Sequence, residues 1–286
     1  MRSVVGLAVA ACLVVISAIG ASAAPFDCRA RGSRSDDAPP VAAGDQHPWQ
    51  CAAGTGQVSS ATQWQRHSLE YCRLSTSVYG AALGAARTMK ARRHLKWHGW
   101  IVIMDADETL LDNSLNEVQR DKCNDTGFNS DVWESWVHAR ATPQSERGMA
   151  DDVPGAAAFT QAVRHMGGLV AVVTNRDVAD DAITRGNLSR LGIAFDYEIG
   201  QDASKPDEKK SKLTRWQAAV AALSGQFHTK AVPVMWVGDQ VTDLAITDAK
   251  GNMTGAMSQT DEGGQGTSVG VNRFLVPNPM YGNWKH

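Results

Sequence analysis

The sequence predicts an α/β protein, a parallel sheet flanked by helices, and three observations carry that reading. Residues 100–104, 169–173 and 232–237 are short apolar, β-prone runs without alternation, as expected of central strands covered on both faces. Helix-like stretches at 155–165, 178–191 and 212–223 stand between or after them, so strands and helices alternate. Each apolar run ends in polar residues, and in such sheets the carboxyl ends of the strands line the ligand crevice.

The chain has 286 residues, 43% hydrophobic and 20% charged, enough for one substantial core with a small accessory region. A formal net charge of −2 gives no broad basic field, so neither a nucleic acid polymer nor an anionic membrane surface is implied as a partner. A small anionic substrate would need a local positive site.

Residues 1–24 have the marks of a secretory signal. Met1 and Arg2 precede an apolar run from Val4 to Ile19 that ends in Ala21-Ser22-Ala23-Ala24, a small-residue cleavage site. The expected mature chain begins near Ala24 or Pro25 and is secreted or periplasmic, with no stable membrane span after processing. Two rivals remain open. A retained anchor is one, although the run is barely long enough to span. Lipidation is the other, because Val9-Ala10-Ala11-Cys12 loosely matches an attachment box, although cleavage there would leave Leu13 to Ile19 behind. Signal removal takes Cys12 and leaves Cys28, Cys51, Cys72 and Cys123, an even number suited to disulfides in an oxidising compartment. Proximity alone suggests Cys28 with Cys51.

Residues 25–58 are rich in Arg, Ser, Asp, Pro, Ala and Gly without apolar periodicity, a loop-like segment not expected to carry catalysis. Residues 59–286 form the catalytic domain, with an insertion at about 114–152. Over 63–93 the spacing of Trp64, Leu69, Tyr71, Val78, Leu83 and Met89 fits one or two amphipathic helices with a packing face. Residues 252–270 are Gly/Ser/Thr-rich, an expected surface loop before a last strand near 273–276. The G-x-S-x-G string at 266–270 has neither the strand before it nor the helix after it that a nucleophile elbow requires.

The chemistry gathers at the ends of the apolar runs. Met104 is followed by Asp105-Ala106-Asp107-Glu108-Thr109, the second run by Thr174-Asn175-Arg176, and the third by Gly238-Asp239-Gln240-Val241-Thr242-Asp243. Lys209-Lys210-Ser211-Lys212 stands at a helix start. An aspartate pair, a threonine, a lysine and a second aspartate pair are what phosphoryl transfer through an aspartyl-phosphate requires. A carboxylate attacking a phosphate dianion meets repulsion that a divalent cation and a fixed ammonium must offset. Asp105 and Asp239 offer hard oxygen ligands, and Mg²⁺ suits sparse carboxylate sites completed by water and phosphate.

These motifs resemble the haloacid dehalogenase superfamily. The strings Asp105-Ala-Asp-Glu-Thr-Leu-Leu-Asp-Asn113, Trp133-Glu-Ser-Trp-Val-His-Ala-Arg140, Val153-Pro-Gly-Ala156, Val173-Thr-Asn-Arg176 and Leu275-Val-Pro-Asn-Pro-Met-Tyr-Gly-Asn-Trp284 look like the class C bacterial acid phosphatases. That family includes outer-membrane lipoproteins with 5′-nucleotidase activity. The resemblance implies a Rossmann-like parallel sheet with a small helical cap. It implies Asp105 as nucleophile, Asp107 as general acid and then base, Thr174 as a phosphoryl hydrogen-bonder, and Lys212 as the ammonium with Arg215 behind it. Lys209 and Lys210 stay open as alternatives. Mg²⁺ would be held by the Asp105 carboxylate, the Asp107 main-chain carbonyl and Asp239, with Asp243 acting through water or by orienting Lys212. Asn175 and Arg176 would lie near substrate. Trp133 and Tyr281, which lie on no obvious apolar face, would stack a nucleoside monophosphate base. This chain lacks a lipid-attachment cysteine at the end of its signal, so outer-membrane anchoring does not carry over.

Blander roles compete at several positions. Asp112 and Asn113 read as helix-entry hydrogen-bonders, Arg176 as a surface ion-pair partner, and the 8 histidines as scattered packing or surface residues. A phosphotransferase on the same scaffold, or a surface nucleotide- or haem-binding protein without turnover, are the competing functions. A homodimer is left open.

Overall fold

The computed structural model describes residues 28–37, 56–125, 127–139, 150–205, 207, 211–259 and 269–282. The signal region, Cys51, Lys209, Lys210, residues 266–268 and Trp284 lie outside them. In chain order come a 3-10 helix Cys28–Ser33, α1 Ser60–His67, α2 Leu69–Arg92, β1 Trp100–Met104, β2 Leu111–Asp112, α3 Ser114–Lys122 and α4 Ser130–His138. There follow β3 Asp151–Asp152, α5 Ala156–His165, β4 Leu169–Asp177, a 3-10 turn Val178–Asp180, α6 Asp181–Arg190 and β5 Tyr197–Gln201. The last group is α7 Leu213–Gln226, β6 Val232–Gly238, a 3-10 turn Val241–Asp243, β7 Ala245–Thr247, β8 Met253–Ala256 and β9 Arg273–Leu275.

Five strands form one sheet in the order β5-β4-β1-β6-β9, every neighbouring pair parallel. The central strand shows why its sequence does not alternate. Trp100, Val102 and Met104 pack into a cluster with α2 and α5, while Ile101 and Ile103 pack on the other face with Trp216, Ala219 and Leu223 of α7. Both faces are therefore dry, and all five residues of β1 are buried. Because the strands are parallel, β1, β4, β6 and β9 all end at the same edge, the place where loop chemistry can converge.

Helices α1 and α2 begin at serine caps. The Ser59 and Ser68 hydroxyls accept from the backbone N–H of Thr62 and Tyr71, satisfying donors that a first turn otherwise leaves open. The expected helices at 155–165, 178–191 and 212–223 appear as α5, the 3-10 turn with α6, and α7.

Several expectations are corrected. The segment at 25–58 is not wholly loop. Residues 28–33 form the 3-10 helix, joined to α2 by a Cys28–Cys72 disulfide with Cα atoms 5.7 Å apart. Cys28 is therefore not paired with Cys51, since packing of this helix on α2 outweighs nearness in sequence. Cys123 is also disulfide-bonded. Arg31, 1% exposed, reaches Asp112 Oδ2 at 2.5 Å and the Gln65 carbonyl at 2.8 Å. Arg34 reaches the same Asp112 oxygen at 2.9 Å. Burial works against the Asp112 charge, but Arg31 and Arg34 hold its carboxyl below the usual carboxylate range. Asp112 also accepts from the Ser114 N–H at 3.0 Å, the helix-entry bond expected of it.

Part of 252–270 is strand, since β8 pairs antiparallel with β7. Trp133, preceded by a polar stretch, lies within α4 and packs partly against the core. The helices α3 and α4 occupy the segment between β2 and β3, which pair antiparallel. Among the described residues no helix is long and apolar enough to cross a membrane.

Candidate active site

The end of β1 delivers Asp105, whose backbone N–H donates to the Val237 carbonyl of β6 at 3.0 Å. The chain then turns sharply. Leu110 and Leu111 both donate to the Ala106 carbonyl, at 2.8 and 2.9 Å, and Glu108 takes a left-handed φ of 54°. Two residues of a five-residue loop thus face one crevice from different sides.

Asp105 forms the floor. Its Oδ1 accepts from Lys212 Nζ, which also reaches Asp243 Oδ1 at 2.7 Å. Lys212 stands at the first position before α7 and is buried. Asp243 is set by the turn after β6, where its Oδ2 accepts from the Gln240 N–H at 3.0 Å. Only glycine fits before this turn, since a Cβ on Gly238 would lie 2.2 Å from the Asp243 Cβ. Asp239 accepts from Asn278 Nδ2 at 2.8 Å and, at 3.4 Å, from the Thr109 hydroxyl.

One oxygen each from Asp105, Asp239 and Asp243 lies within 4.8 Å of the others. Burial pushes Asp105 up to about 7 against the pull of Lys212, and Asp243 and Asp107 push the same way. Burial, with Asp243 and Asp105, likewise drives Asp239 well above the usual carboxylate range. Three carboxylates around one ammonium cannot all be charged cheaply in a dry site. A hard divalent cation among these oxygens would remove the conflict, so the donor set fits one.

Asp107 forms the wall. Arg176 Nη2 donates to its Oδ1 at 2.7 Å, and Nε contacts both carboxylate oxygens at 3.1 Å. Asn113 Nδ2 adds a bond to Oδ1 at 2.9 Å. The Asp107 carboxylate is absent from the cluster of possible metal ligands among the described residues. Arg176 is only 2% exposed, so it is no surface ion-pair partner. The second strand runs on to Asp177, so Thr174, Asn175 and Arg176 lie within β4 and not after it, and buried Thr174 accepts from the Arg176 N–H at 3.2 Å. Arg215 of α7 donates to the Thr174 carbonyl and, at 2.8 Å, to Asn175 Oδ1, bracing the part of β4 that carries both residues.

The family model of the HAD superfamily, subfamily IIIB (acid phosphatase), matches residues 38–284. The chain belongs to this family. It is therefore a phosphomonoester hydrolase on a haloacid dehalogenase scaffold. Two solved structures have the same fold, "The structure of the Class C acid phosphatase from Bacillus anthracis" and the structure of that enzyme with tungstate bound. They superpose with TM-scores of 0.58 and 0.57, each at 23% identity over 79% of this chain and 85% of the other. A comparison with curated proteins gave no match.

In this acid phosphatase the two aromatic residues singled out in the sequence meet different parts of the site. The Trp133 ring lies 5.8 Å from the Arg176 guanidinium, and the Tyr281 hydroxyl donates to Glu108 Oε2. The eight histidines include His138, which bonds Asp180 at 2.6 Å and so joins α4 to the turn before α6. Sequence reading missed several supports. Asn113 was expected to cap α3, but its side chain makes no cap bond and binds Asp107 and Glu108 instead. Asn278 and Glu108 were unassigned. Asn278 lies in a string that carries the family likeness, and Glu108 sits inside the motif itself, which were the signals that could have found them.

Proposed function

We propose that this phosphatase hydrolyses nucleoside 5′-monophosphates through an aspartyl-phosphate on Asp105, assisted by Mg²⁺. One observation carries the reading. Lys212 bridges Asp105 and Asp243 beside Asp239, while Asp107, two residues on, is held apart from that cluster by Arg176 and Asn113.

Asp105, Asp239 and Asp243, with the Asp107 main-chain carbonyl, would hold the metal ion, which when bound offsets the charge of the phosphate. Asp105 attacks phosphorus in line, and the P–O bond to the leaving alcohol breaks as Asp107 gives that oxygen a proton. Asp107 then takes a proton from water, which attacks the acyl phosphate and frees inorganic phosphate. Lys212 neutralises the floor, and the Thr174 hydroxyl hydrogen-bonds a phosphoryl oxygen. Trp133 and Tyr281 would stack a base, a contact worth ~1 to 3 kcal/mol that any base can make. The helical insertion at 114–152 would be the cap over this site.

Export to an oxidising compartment belongs to the same proposal and is supported by the Cys28–Cys72 bond and the bonded Cys123. Phosphate release from nucleotides, sugar phosphates and aryl phosphates, with and without Mg²⁺, tests the enzymatic reading. No metal response, or no advantage for nucleotides, would remove the corresponding part. Intact-mass analysis of the exported protein tests cleavage near Ala23, and a mature chain beginning at lipidated Cys12 would overturn it.

A further inference from the structure

One helix backs the wall of the site. Trp133 and Trp136 stand three residues apart on α4 and so share a face. Each touches a different residue that binds Asp107. Trp136, 1% exposed, donates from Nε1 to Asn113 Oδ1 at 2.8 Å. That bond fixes the amide so that Asn113 Nδ2 points at Asp107 Oδ1, 2.9 Å away. Trp133 lies against the guanidinium of Arg176, which grips Asp107 along one edge.

The two oxygens of Asp107 are not equivalent in this arrangement. Oδ1 accepts three bonds, from Arg176 Nη2 at 2.7 Å, Asn113 at 2.9 Å and Arg176 Nε at 3.1 Å. Among the described residues, Oδ2 accepts one bond, from Arg176 Nε at 3.1 Å. A proton on Oδ1 would displace a donor, whereas Oδ2 has lone pairs to spare.

We infer that α4 is a splint for the general acid: Trp136, through Asn113, orients Asp107 so that Oδ2 alone exchanges protons with the leaving oxygen and with water. Asn113 and Trp136 are then positioning residues for catalysis. The inference rests on the reading of Asp107 as acid and base.

The experiment uses the full mature chain and a series of phosphate esters running from 4-nitrophenyl to alkyl, with kcat/KM measured for Trp136→Phe, Asn113→Ala, the double variant and Asp107→Asn. Trp136→Phe keeps an aromatic ring and removes the N–H, and melting curves report whether each variant folds. Catalysis by a misaligned acid should fail mainly where the leaving group needs a proton. Trp136→Phe and Asn113→Ala should each lower kcat/KM about tenfold for alkyl esters, within the ~10² that an ångström of misplacement costs, and much less for the nitrophenyl ester. The double variant should lose no more than the worse single one, because both act on one path. Asn113→Ala serves if Trp136→Phe does not fold. Equal losses across the ester series in these variants, beside a leaving-group-dependent loss in Asp107→Asn, would overturn the splint alone. A uniform loss in Asp107→Asn would overturn the acid role and the splint with it.

Discussion

Asp105 and Asp107 are two residues apart, yet the regions that receive them are opposites. Asp105 faces Asp239 and Asp243 with one lysine between them, so charge there is in conflict. Asp107 is gripped by a guanidinium and an amide, so its charge is met by donors. The floor is made from the ends of β1 and β6 with the start of α7, and the wall from the end of β4 with α3 and α4. Enzymes separate the duties of paired carboxylates by environment. Here the crowded region suits binding a cation and attacking phosphorus, and the donor-rich region suits holding a carboxylate still while protons pass.

That contrast breaks most visibly if Asp105 is changed. Asp105→Asn should lower turnover by more than ~10⁴, the scale seen when a nucleophile is removed, while the fold survives, because an amide of equal size also relieves buried repulsion. Turnover within tenfold of wild type would end the covalent mechanism. Exhaustive chelation should bring the enzyme to background, with Mg²⁺ restoring it; full activity in chelator would mean that the floor resolves its charge without a metal. Changing the wall should cost less. Asp107→Asn should lose ~10² to 10⁴ on alkyl esters, the range for acid–base catalysis, and less on aryl esters.

The rim of the wall should respond only to substrates carrying a base. Trp133→Ala and Tyr281→Ala should each reduce kcat/KM on a nucleotide about tenfold, matching the loss of one stacking contact. On a small ester the change should be slight. Tyr281→Phe keeps the ring but loses the bond to Glu108, so comparison with Tyr281→Ala separates stacking from tethering. Equal losses on both substrates would make the rings structural.

The smallest effect lies outside both regions. Glu198 on β5 is fully buried at its side chain and bonds Arg185 at 3.1 Å. Burial, reinforced by Asp181 and only partly countered by Arg185, pushes it from 4.5 up to about 8. The folded protein therefore keeps a proton that the unfolded chain releases over that window. Its contribution to stability is full below about 4.5 and declines as pH rises toward 8. Glu198→Gln should flatten this slope and raise the melting temperature at pH 8 by a few degrees. An unchanged slope would show that Glu198 does not titrate there.

The strands that position floor and wall were legible because β1, β4 and β6 are covered on both faces, which leaves continuous apolar runs. The strand β5 was not. Tyr197-Glu198-Ile199-Gly200-Gln201 lies at the sheet edge and mixes polar with apolar residues, so no run announced it. The buried contribution of residues 28–33 was hidden for a related reason: Arg31 is interior through ion pairing with Asp112, and a charged composition ordinarily signals surface. The roles of Asp105, Asp239 and Lys212 could be argued because each follows a strand or starts a helix. Asn113 resisted such reading because its purpose depends on Trp136, a partner in another helix that local pattern does not reveal.

The parallel placement of β9 has a consequence in time. Since β9 runs beside β6, the chain leaving it emerges next to the crevice, where Val276 N–H donates to the Gly238 carbonyl at 2.8 Å, Asn278 binds Asp239 and Tyr281 binds Glu108 across 173 positions of sequence. A polypeptide emerging from the ribosome presents β1 and Asp105 long before these last supports have been synthesised. The chain that carries the Asp105 motif alone thus lacks its last braces, Asn278 and Tyr281, until nearly the whole sequence has been made.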